Sequence, residues 1–104
     1  MQDIEHIHIL AQNKKIRFTE HAIQRFTKRR IDIINDLVPA LLNSEIVECY
    51  PDDYPYKSYL VLGTTVNKKY LHIVCAIGND ELWIITAYFP DINEWEKDFK
   101  TRKK

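Results

Sequence analysis

Between Ile46 and Phe89 the chain alternates strand-type segments with short turns, and this pattern constrains the fold more than any other feature. Segments rich in β-branched and aromatic residues occupy residues 46–50, 58–66, 70–77 and 82–89. The connections near 67–68 and 78–81 are short enough to be hairpin turns. Because consecutive strands joined by hairpins pair with each other, the pattern predicts a four-stranded antiparallel meander.

Helical periodicity occurs before and after these strands. Apolar residues spaced three and four apart predict helices over residues 3–13, 20–30, 34–43 and 92–100. Residues 16–18 are expected to be an extended link, and Trp95 and Phe99 a docking pair on the last helix. The predicted fold class is α+β: N-terminal helices packed on one face of the four-stranded antiparallel meander, with a short C-terminal helix. A length of 104 residues predicts a single domain, 1–104.

Pro39 leaves two alternatives open for the third predicted helix. In the first, Asp32 caps the helix and Pro39 kinks it, because proline lacks an N–H and its ring clashes with the preceding turn. In the second, Asp36 caps a later helix and Pro39 occupies the first turn, where proline is tolerated. We expect the kink.

Charged residues are balanced overall but segregated along the chain. There are 15 Lys and Arg residues and 15 Asp and Glu residues, so the net charge is zero. Residues 14–30 contain seven basic residues and one acid, Glu20, whereas residues 45–53 contain four acids and no base. A zero net charge argues against a dedicated nucleic-acid binder. The basic end and the acidic edge are either solvated faces or two interaction surfaces.

The sequence also predicts a compartment. Its start, Met1 to Glu5, lacks the apolar segment of a secretory signal, and no apolar run reaches the ~20 residues needed to span a bilayer. Cys49 and Cys75 lie in strand-type runs without metal-ligand spacing, which predicts buried free thiols in a reducing compartment. We therefore expect a cytoplasmic protein that makes no membrane contact.

The second predicted helix carries a basic arc. Thr19 is its predicted N-cap. At ~100° per residue, one side of the helix groups His21, Arg25, Lys28 and Arg29. The opposite side groups the apolar residues Ala22, Ile23 and Phe26. The apolar side is expected to face the core, which leaves the basic arc at the surface or over a cleft.

Strand alternation gives His72 a different sheet face from its apolar neighbours. The face beneath the helices is expected to carry Leu71, Ile73, Cys75 and Ile77. With Asn67-Lys68 as the turn, His72 is predicted to lie opposite Gly63 and to share its face with Tyr59.

The length of the next loop decides which other residues join His72. A three-residue loop at 79–81 places Thr86 and Tyr88 on the His72 face. A two-residue loop places Trp83, Ile85 and Ala87 there instead. The sequence does not decide between the loops. We choose the three-residue loop because it groups Tyr59, His72, Thr86 and Tyr88.

Several spaced motifs together resemble a known family. The first reads Phe18-Thr19-Glu20-His21-Ala22, then Arg25, then Arg29-Arg30-Ile31. Later motifs occupy residues 45–48, 50–53, 58–63, 71–74 and 85–91, followed by Trp95. Over nearly its whole length the chain resembles domain-of-unknown-function family 4258. The resemblance implies a layout similar to the RelE/ParE and BrnT toxin folds, and to small metal-independent ribonucleases. Pro39 and the zero net charge depart from what a ribosome-targeting toxin would show.

A toxin-like metal-independent endoribonuclease is the first functional hypothesis. Metal-free RNA cleavage requires a base for the 2′-OH proton, an acid for the leaving 5′-oxygen and cations for the phosphate charge. The predicted catalytic residues are His21, Arg25, His72 and Tyr88. The predicted RNA-phosphate ligands are Arg29 and Lys28, and the supporting residues are Tyr59 and Thr86. The scheme requires His21 and His72 to face one cleft.

A non-catalytic protein-interaction module is the second hypothesis. Its partner would be a small antitoxin-like protein whose basic segment meets the acidic edge at residues 45–53. In this case Arg25 would pair with Glu20 or with a carboxylate of the acidic edge, and His72 would be a neutral histidine bonded to a neighbour such as Thr86. Trp83, Trp95 and the tyrosines are expected to be core or docking residues. Neither hypothesis involves a cofactor or a metal, and we expect a monomer or a weak homodimer.

Overall fold

Helices cover one face of a mixed sheet in the computed structural model, which describes residues 3–104. Within these residues there are three α-helices, α1 (Asp3–Gln12), α2 (Glu20–Arg29) and α3 (Val38–Leu42). The five strands are β1 (Ile16–Phe18), β2 (Glu45–Tyr50), β3 (Ser58–Thr64), β4 (Tyr70–Gly78) and β5 (Glu81–Tyr88). The predicted α+β class and the meander of β2 to β5 are therefore present, but the sheet is larger than predicted.

The predicted extended link at Ile16–Phe18 is a fifth strand. It pairs in parallel with Leu82–Ile84, so the sheet order is β1-β5-β4-β3-β2. The other neighbouring pairs are antiparallel. Without β1, the outer edge of β5 would expose a row of unpaired N–H and C=O groups. A three-residue strand is too short to show a sequence period, so the purely antiparallel prediction was wrong at this edge.

The core lies between the helices and one face of the sheet, as predicted. Leu71, Ile73 and Cys75 of β4 are buried there with Ala22 and Phe26 of α2. Gly63 lets α3 approach β3 closely, because a Cβ at this position would lie 2.0 Å from the Ala40 carbonyl oxygen. We call the opposite side of the sheet, which carries the side chain of His72, the outer face.

The third predicted helix begins where the favoured alternative places it. Asp32 caps a π-helical turn at Ile33–Leu37, and α3 follows directly with Pro39 in its first turn. The wider turn bonds Leu37 N–H to the Asp32 carbonyl at 3.0 Å. Asp36 does not cap α3, since its carboxylate accepts the N–H of Asp32 at 2.9 Å. The irregularity predicted as a kink is thus a change of helical winding just before the proline.

The predicted C-terminal helix over residues 92–100 is wrong. Residues 90–104, which we call the C-terminal segment, form turns closed by a bridge between Trp95 and Arg102. The Asp98 carboxylate accepts the N–H groups of Lys100 and Thr101, and Phe99 adopts a left-handed conformation with φ 56°. Such side-chain bonds to the backbone compete with helical bonding, so the local sequence favours a turn.

The hairpin between β3 and β4 shifts the predicted register by one residue. Its loop spans residues 66–68, with Lys68 left-handed at φ 63°. His72 therefore lies opposite Leu62, and Gly63 lies opposite Leu71. Because a shift of one residue exchanges the two faces of a strand, Tyr59 belongs to the core face and does not support His72.

The hairpin between β4 and β5 has a two-residue loop rather than the predicted three. Asn79 and Asp80 both have positive φ, 53° and 60°, as a type I′ turn requires. A β-bulge at Ile85 then shifts the pairing, so that Thr86 lies opposite Val74 and Tyr88 opposite His72. Thr86 and Tyr88 thus share the His72 face as predicted, because the bulge supplies the extra residue.

Two smaller predictions concern membranes and cysteines. No helix within residues 3–104 combines the length and the apolar character needed to cross a bilayer. Cys75 is buried, and burial raises the pKa of its thiol to about 12. Cys49 is exposed on β2, so the prediction of a buried thiol was wrong there.

Candidate functional site

Helix α2 forms as the local sequence predicts. The Thr19 hydroxyl accepts the N–H of Ala22 at 3.0 Å, and Glu20 lies in the first turn, where a carboxylate favours the helix dipole. The helix ends at Arg30, whose left-handed backbone lets its N–H bond the carbonyls of Phe26 and Thr27. Since Ala22 and Phe26 are buried, one side of the helix is held against the core.

The opposite side of α2 carries the predicted basic residues. We call His21, Arg25, Lys28 and Arg29 the basic face; they line a shallow groove of about 530 Å³ together with Gln24. Among residues 3–104, none of the arginines and lysines of this face has a carboxylate within salt-bridge distance. The predicted pairing of Arg25 with Glu20 is therefore absent from the described residues. The cationic groups on this face remain uncompensated by nearby acids.

His21 and Arg25 contact each other one helical turn apart. Arg25 donates its Nε–H to His21 Nε2 at 2.7 Å. Because an accepting ring nitrogen carries no proton, this geometry assigns the ring proton of a neutral His21 to Nδ1. The structure thus brings together two of the predicted catalytic residues, on an exposed surface.

Arg29 joins the helix to the sheet. Its Nη1 donates to the Thr86 hydroxyl at 3.0 Å and to the Ala87 carbonyl at 2.8 Å. This part of the β5 edge lies beyond the pairing with β1, so the guanidinium satisfies a carbonyl that lacks a strand partner. Arg29 is half-buried, and its first role is to anchor the basic face to β5.

His72 is in a different environment from His21. Its side chain is on the outer face and is 0% exposed. The Nε2–H donates to the Phe99 carbonyl at 2.7 Å, Nδ1 lies 3.3 Å from the Tyr88 hydroxyl, and the Trp95 ring stacks edge-on at 4.5 Å. Burial lowers the pKa of His72 below its usual value, so the neutral ring is favoured.

A salt bridge joins β2 to the C-terminal segment beside His72. Arg102 donates to both carboxylate oxygens of Glu48, at 2.8 and 3.1 Å, and lies 4.6 Å from the centre of the Trp95 ring. The hydrogen bond from Arg102 lowers the pKa of Glu48. Tyr50 donates to the same carboxylate, and burial raises the pKa of this phenol to about 12. No sequence signal pointed to this network, because its acid and base are 54 residues apart.

The predicted pair of histidines does not share a cleft. His21 projects from the exposed side of α2, whereas His72 lies on the outer face beneath the C-terminal segment, with both ring nitrogens engaged. His72 is a buried, hydrogen-bonded histidine with Tyr88 and Phe99 as partners, where Thr86 was the predicted partner. Tyr59 is also remote from His72, since its hydroxyl donates to Asp3 at 2.6 Å.

The other half of the outer face is open. Here the sheet, the loop after β2 and the start of α2 enclose a cavity of about 380 Å³ that we call the aromatic pocket. Its walls include Trp83, Ile85, Tyr54, Tyr56, Asp53 and Thr19. Trp83 and the tyrosines were predicted to be core or docking residues. The signal that could have indicated a pocket was the Pro- and Tyr-rich loop between β2 and β3.

One family model matches this chain. The model for a domain of unknown function, DUF4258, covers residues 18–89. The chain belongs to the DUF4258 family. This confirms the predicted membership, while the likeness to RelE/ParE and BrnT toxins stays a prediction. No curated protein and no solved structure matches the chain. The DUF4258 region contains the basic face and the aromatic pocket, and the C-terminal segment that covers His72 follows it.

Proposed function

We propose that this protein binds single-stranded RNA through the basic face of α2. The proposal is supported chiefly by one observation: α2 buries Ala22 and Phe26 and leaves its basic side exposed, without a carboxylate partner among residues 3–104. Uncompensated cations attract phosphates, and a bound phosphate releases the counterions condensed on the nucleic acid. The zero net charge does not prevent this, because the acids lie elsewhere.

Two acids of the acidic edge have basic partners in the C-terminal segment. Glu45 pairs with Lys100 at 3.0 Å, and Glu48 pairs with Arg102. The acidic edge at residues 45–53 is thus partly neutralised by the basic C-terminal segment of the same chain. This leaves α2 as the less compensated of the two charged regions and favours an anionic ligand over a basic one.

Of the two histidines in the endoribonuclease hypothesis, His21 lies on this surface and His72 does not. Phosphate binding would draw Arg25 from His21 Nε2 and free that nitrogen to accept the proton of a ribose 2′-OH. The 2′-oxygen would bond to phosphorus, the bond from phosphorus to the 5′-oxygen would break, and the proton would pass to that oxygen. The products would be a 2′,3′-cyclic phosphate and a 5′-hydroxyl. His72 takes no part in this scheme.

Binding is tested by fluorescence anisotropy with a labelled RNA of about 12 nucleotides between about 50 and 200 mM NaCl. A plot of log affinity against log salt should have a slope of about −2 for three phosphate contacts. The double variant Arg25→Gln/Lys28→Gln removes two of the three contacts, so it should bind weakly and reduce the magnitude of the slope by about 1.4. The matched control Lys97→Gln/Lys103→Gln removes the same charge from the C-terminal segment and should bind normally. Equal losses in both variants would contradict the proposal.

Cleavage is tested separately by incubating RNA with the protein in EDTA. The narrowed hypothesis predicts cyclic-phosphate ends that are formed by the wild type and lost in His21→Gln. Intact RNA with wild-type protein that binds normally would contradict catalysis and leave the binding proposal standing.

An apolar groove supports protein interaction as a second candidate function. Ile23 is 40% exposed and Ile34 is 75% exposed, and both line a groove between α2 and the π-helical turn. The prediction that Ile23 faces the core was therefore wrong. Exposed apolar groups in one groove are typical of interaction sites. An antitoxin-like partner should co-purify from native extract in a fixed ratio with the wild type and be lost in Ile34→Ser; retention by the variant would contradict this role.

A further inference from the structure

We infer that the aromatic pocket binds one unpaired base of an RNA strand whose phosphates lie along α2; the inference rests on the proposed RNA-binding function. The pocket is large enough for a small planar ligand, at about 380 Å³. Its sheet side is formed by Ala76, Trp83 and Ile85, where the bulge in β5 leaves Ile85 exposed.

The pocket walls suit a flat ring. Tyr54 is 95% exposed, so it contributes little to the core and is free to stack on a ligand. Tyr56 lies against Gly78, where a Cβ would be 2.2 Å from the tyrosine Cε2, and this close packing fixes one side of the pocket. Aromatic side chains that hold unpaired bases by stacking are the common device of single-strand recognition.

The neighbouring charges favour a ligand with a phosphate backbone. Thr19 lines the pocket and is also the N-cap of α2, two residues before His21. A base in the pocket would therefore place its own phosphate near the first turn of α2, and the strand would continue past Arg25. A base held in a duplex could not enter, because its faces are stacked and its edge is paired.

Asp53 in the pocket wall favours a base over a phosphate. A carboxylate repels a phosphate but accepts hydrogen bonds from the exocyclic amino group of cytosine. The buried Ser58 donates its hydroxyl to Asp53 Oδ2, which orients the carboxylate. Within residues 3–104, Oδ1 has no hydrogen-bond partner. Uracil presents an acceptor where cytosine presents its amino group, so the pocket should prefer cytosine to uracil.

The test compares three probes of about eight nucleotides with equal charge: oligo(C), oligo(U) and an abasic ribose-phosphate chain. The wild type should bind oligo(C) about tenfold more tightly than oligo(U), and the abasic chain most weakly. Tyr54→Ala should weaken the binding of oligo(C) about tenfold and leave the binding of the abasic chain unchanged. Asp53→Asn, whose amide oxygen still accepts from Ser58, should reduce the preference for cytosine. Tyr70→Ala removes an exposed tyrosine outside the pocket and is the matched control.

The outcomes separate the pocket from the basic face. Equal affinity for all three probes, with dependence on Arg25 and Lys28, would overturn the pocket and retain the proposed function. Absence of binding to every probe would overturn both. A cytosine preference that survives Tyr54→Ala and Asp53→Asn unchanged would also overturn the pocket assignment.

Discussion

The imidazole of His72 donates its Nε2–H to the carbonyl oxygen of Phe99 at 2.7 Å and thereby ties the middle of the sheet to the C-terminal segment. Trp95 covers the same ring, and Arg102 covers Trp95 from the other side. A histidine this enclosed cannot meet a substrate without displacement of the C-terminal segment. Its role in this arrangement is to hold that segment in place.

Replacement of His72 should therefore reduce stability rather than RNA affinity. His72→Ala would leave a cavity and an unpaired Phe99 carbonyl, and should lower the free energy of unfolding by about 2–3 kcal/mol. Urea denaturation measures this difference. The control His21→Ala, at an exposed position, should change stability by less than about 0.5 kcal/mol. Similar stability losses in the two variants would contradict the structural assignment of His72.

Stability should fall as the pH decreases below the unfolded-state pKa of His72. The folded-state pKa is lowered from 6.5 by burial, so the unfolded chain binds a proton first as pH falls through about 6.5. For this one group the slope has an upper limit of about 1.4 kcal/mol per pH unit. Urea unfolding between about pH 7.5 and 5.5 should show the slope in the wild type and its loss in His72→Gln. A slope unchanged by the substitution would refute the assignment.

The stability contributed by the Glu48 carboxylate should be lost at a lower pH than that contributed by His72. The pKa of Glu48 is lowered from 4.5, chiefly by the hydrogen bond of Arg102. The stability that this depressed pKa contributes is present above about pH 4.5 and is lost as the pH falls through the folded-state pKa. Because the loss at Glu48 begins at a lower pH than the loss at His72, the two contributions can be separated by unfolding measured across both ranges, with His72→Gln removing the first.

Arg102→Ala should loosen the C-terminal segment. It removes a bidentate bond to Glu48 and the cation above Trp95, and we expect a loss of about 1 kcal/mol in urea denaturation. Arg102→Lys should recover only part of this, because an ammonium group cannot bond both oxygens in the same fork. Lys103→Ala serves as the control. Full recovery of stability by lysine would show that charge alone matters.

The two glycines provide a matched pair of substitutions with different consequences. Gly63→Ala places a Cβ 2.0 Å from the backbone oxygen of Ala40, so the expected loss is about 3 kcal/mol or more. In Gly78→Ala the atoms nearest the new Cβ belong to the ring of Tyr56, which lies on an exposed loop and can move, so the loss of stability should be about 1 kcal/mol. Gly78→Ala should also weaken oligo(C) binding several-fold by displacing Tyr56. Equal stability losses, or unchanged oligo(C) affinity, would argue against this packing.

Local signals explain why α2 was predictable. Thr19, the basic arc and the apolar arc all lie within about three helical turns, so one short segment contains the information for cap, helix and exposed face. The strands of the meander were predictable for the same reason. Strand β1 was not, because three residues hold no period, and its pairing with β5 joins residues far apart in the chain.

Turn geometry limited the prediction of the outer face. The left-handed residue in the first hairpin is Lys68, a residue type that does not usually mark such a position, so the register was placed one residue off. In the second hairpin the loop length was wrong, and the bulge at Ile85 restored the predicted neighbours of His72. Phe99 and Trp95 enclose His72. This enclosure was not predicted, because a helix was expected over residues 92–100.

The binding of RNA by α2 is tested most directly by amide chemical shifts measured during titration with oligo(C). We expect the largest shifts at residues 19–29, with further shifts at 53–56 and 83–85 and small ones at 95–102. The same titration of Arg25→Gln/Lys28→Gln should require much higher RNA concentrations. Shifts confined to the C-terminal segment or to residues 31–34, or no shifts at all, would contradict RNA binding by α2.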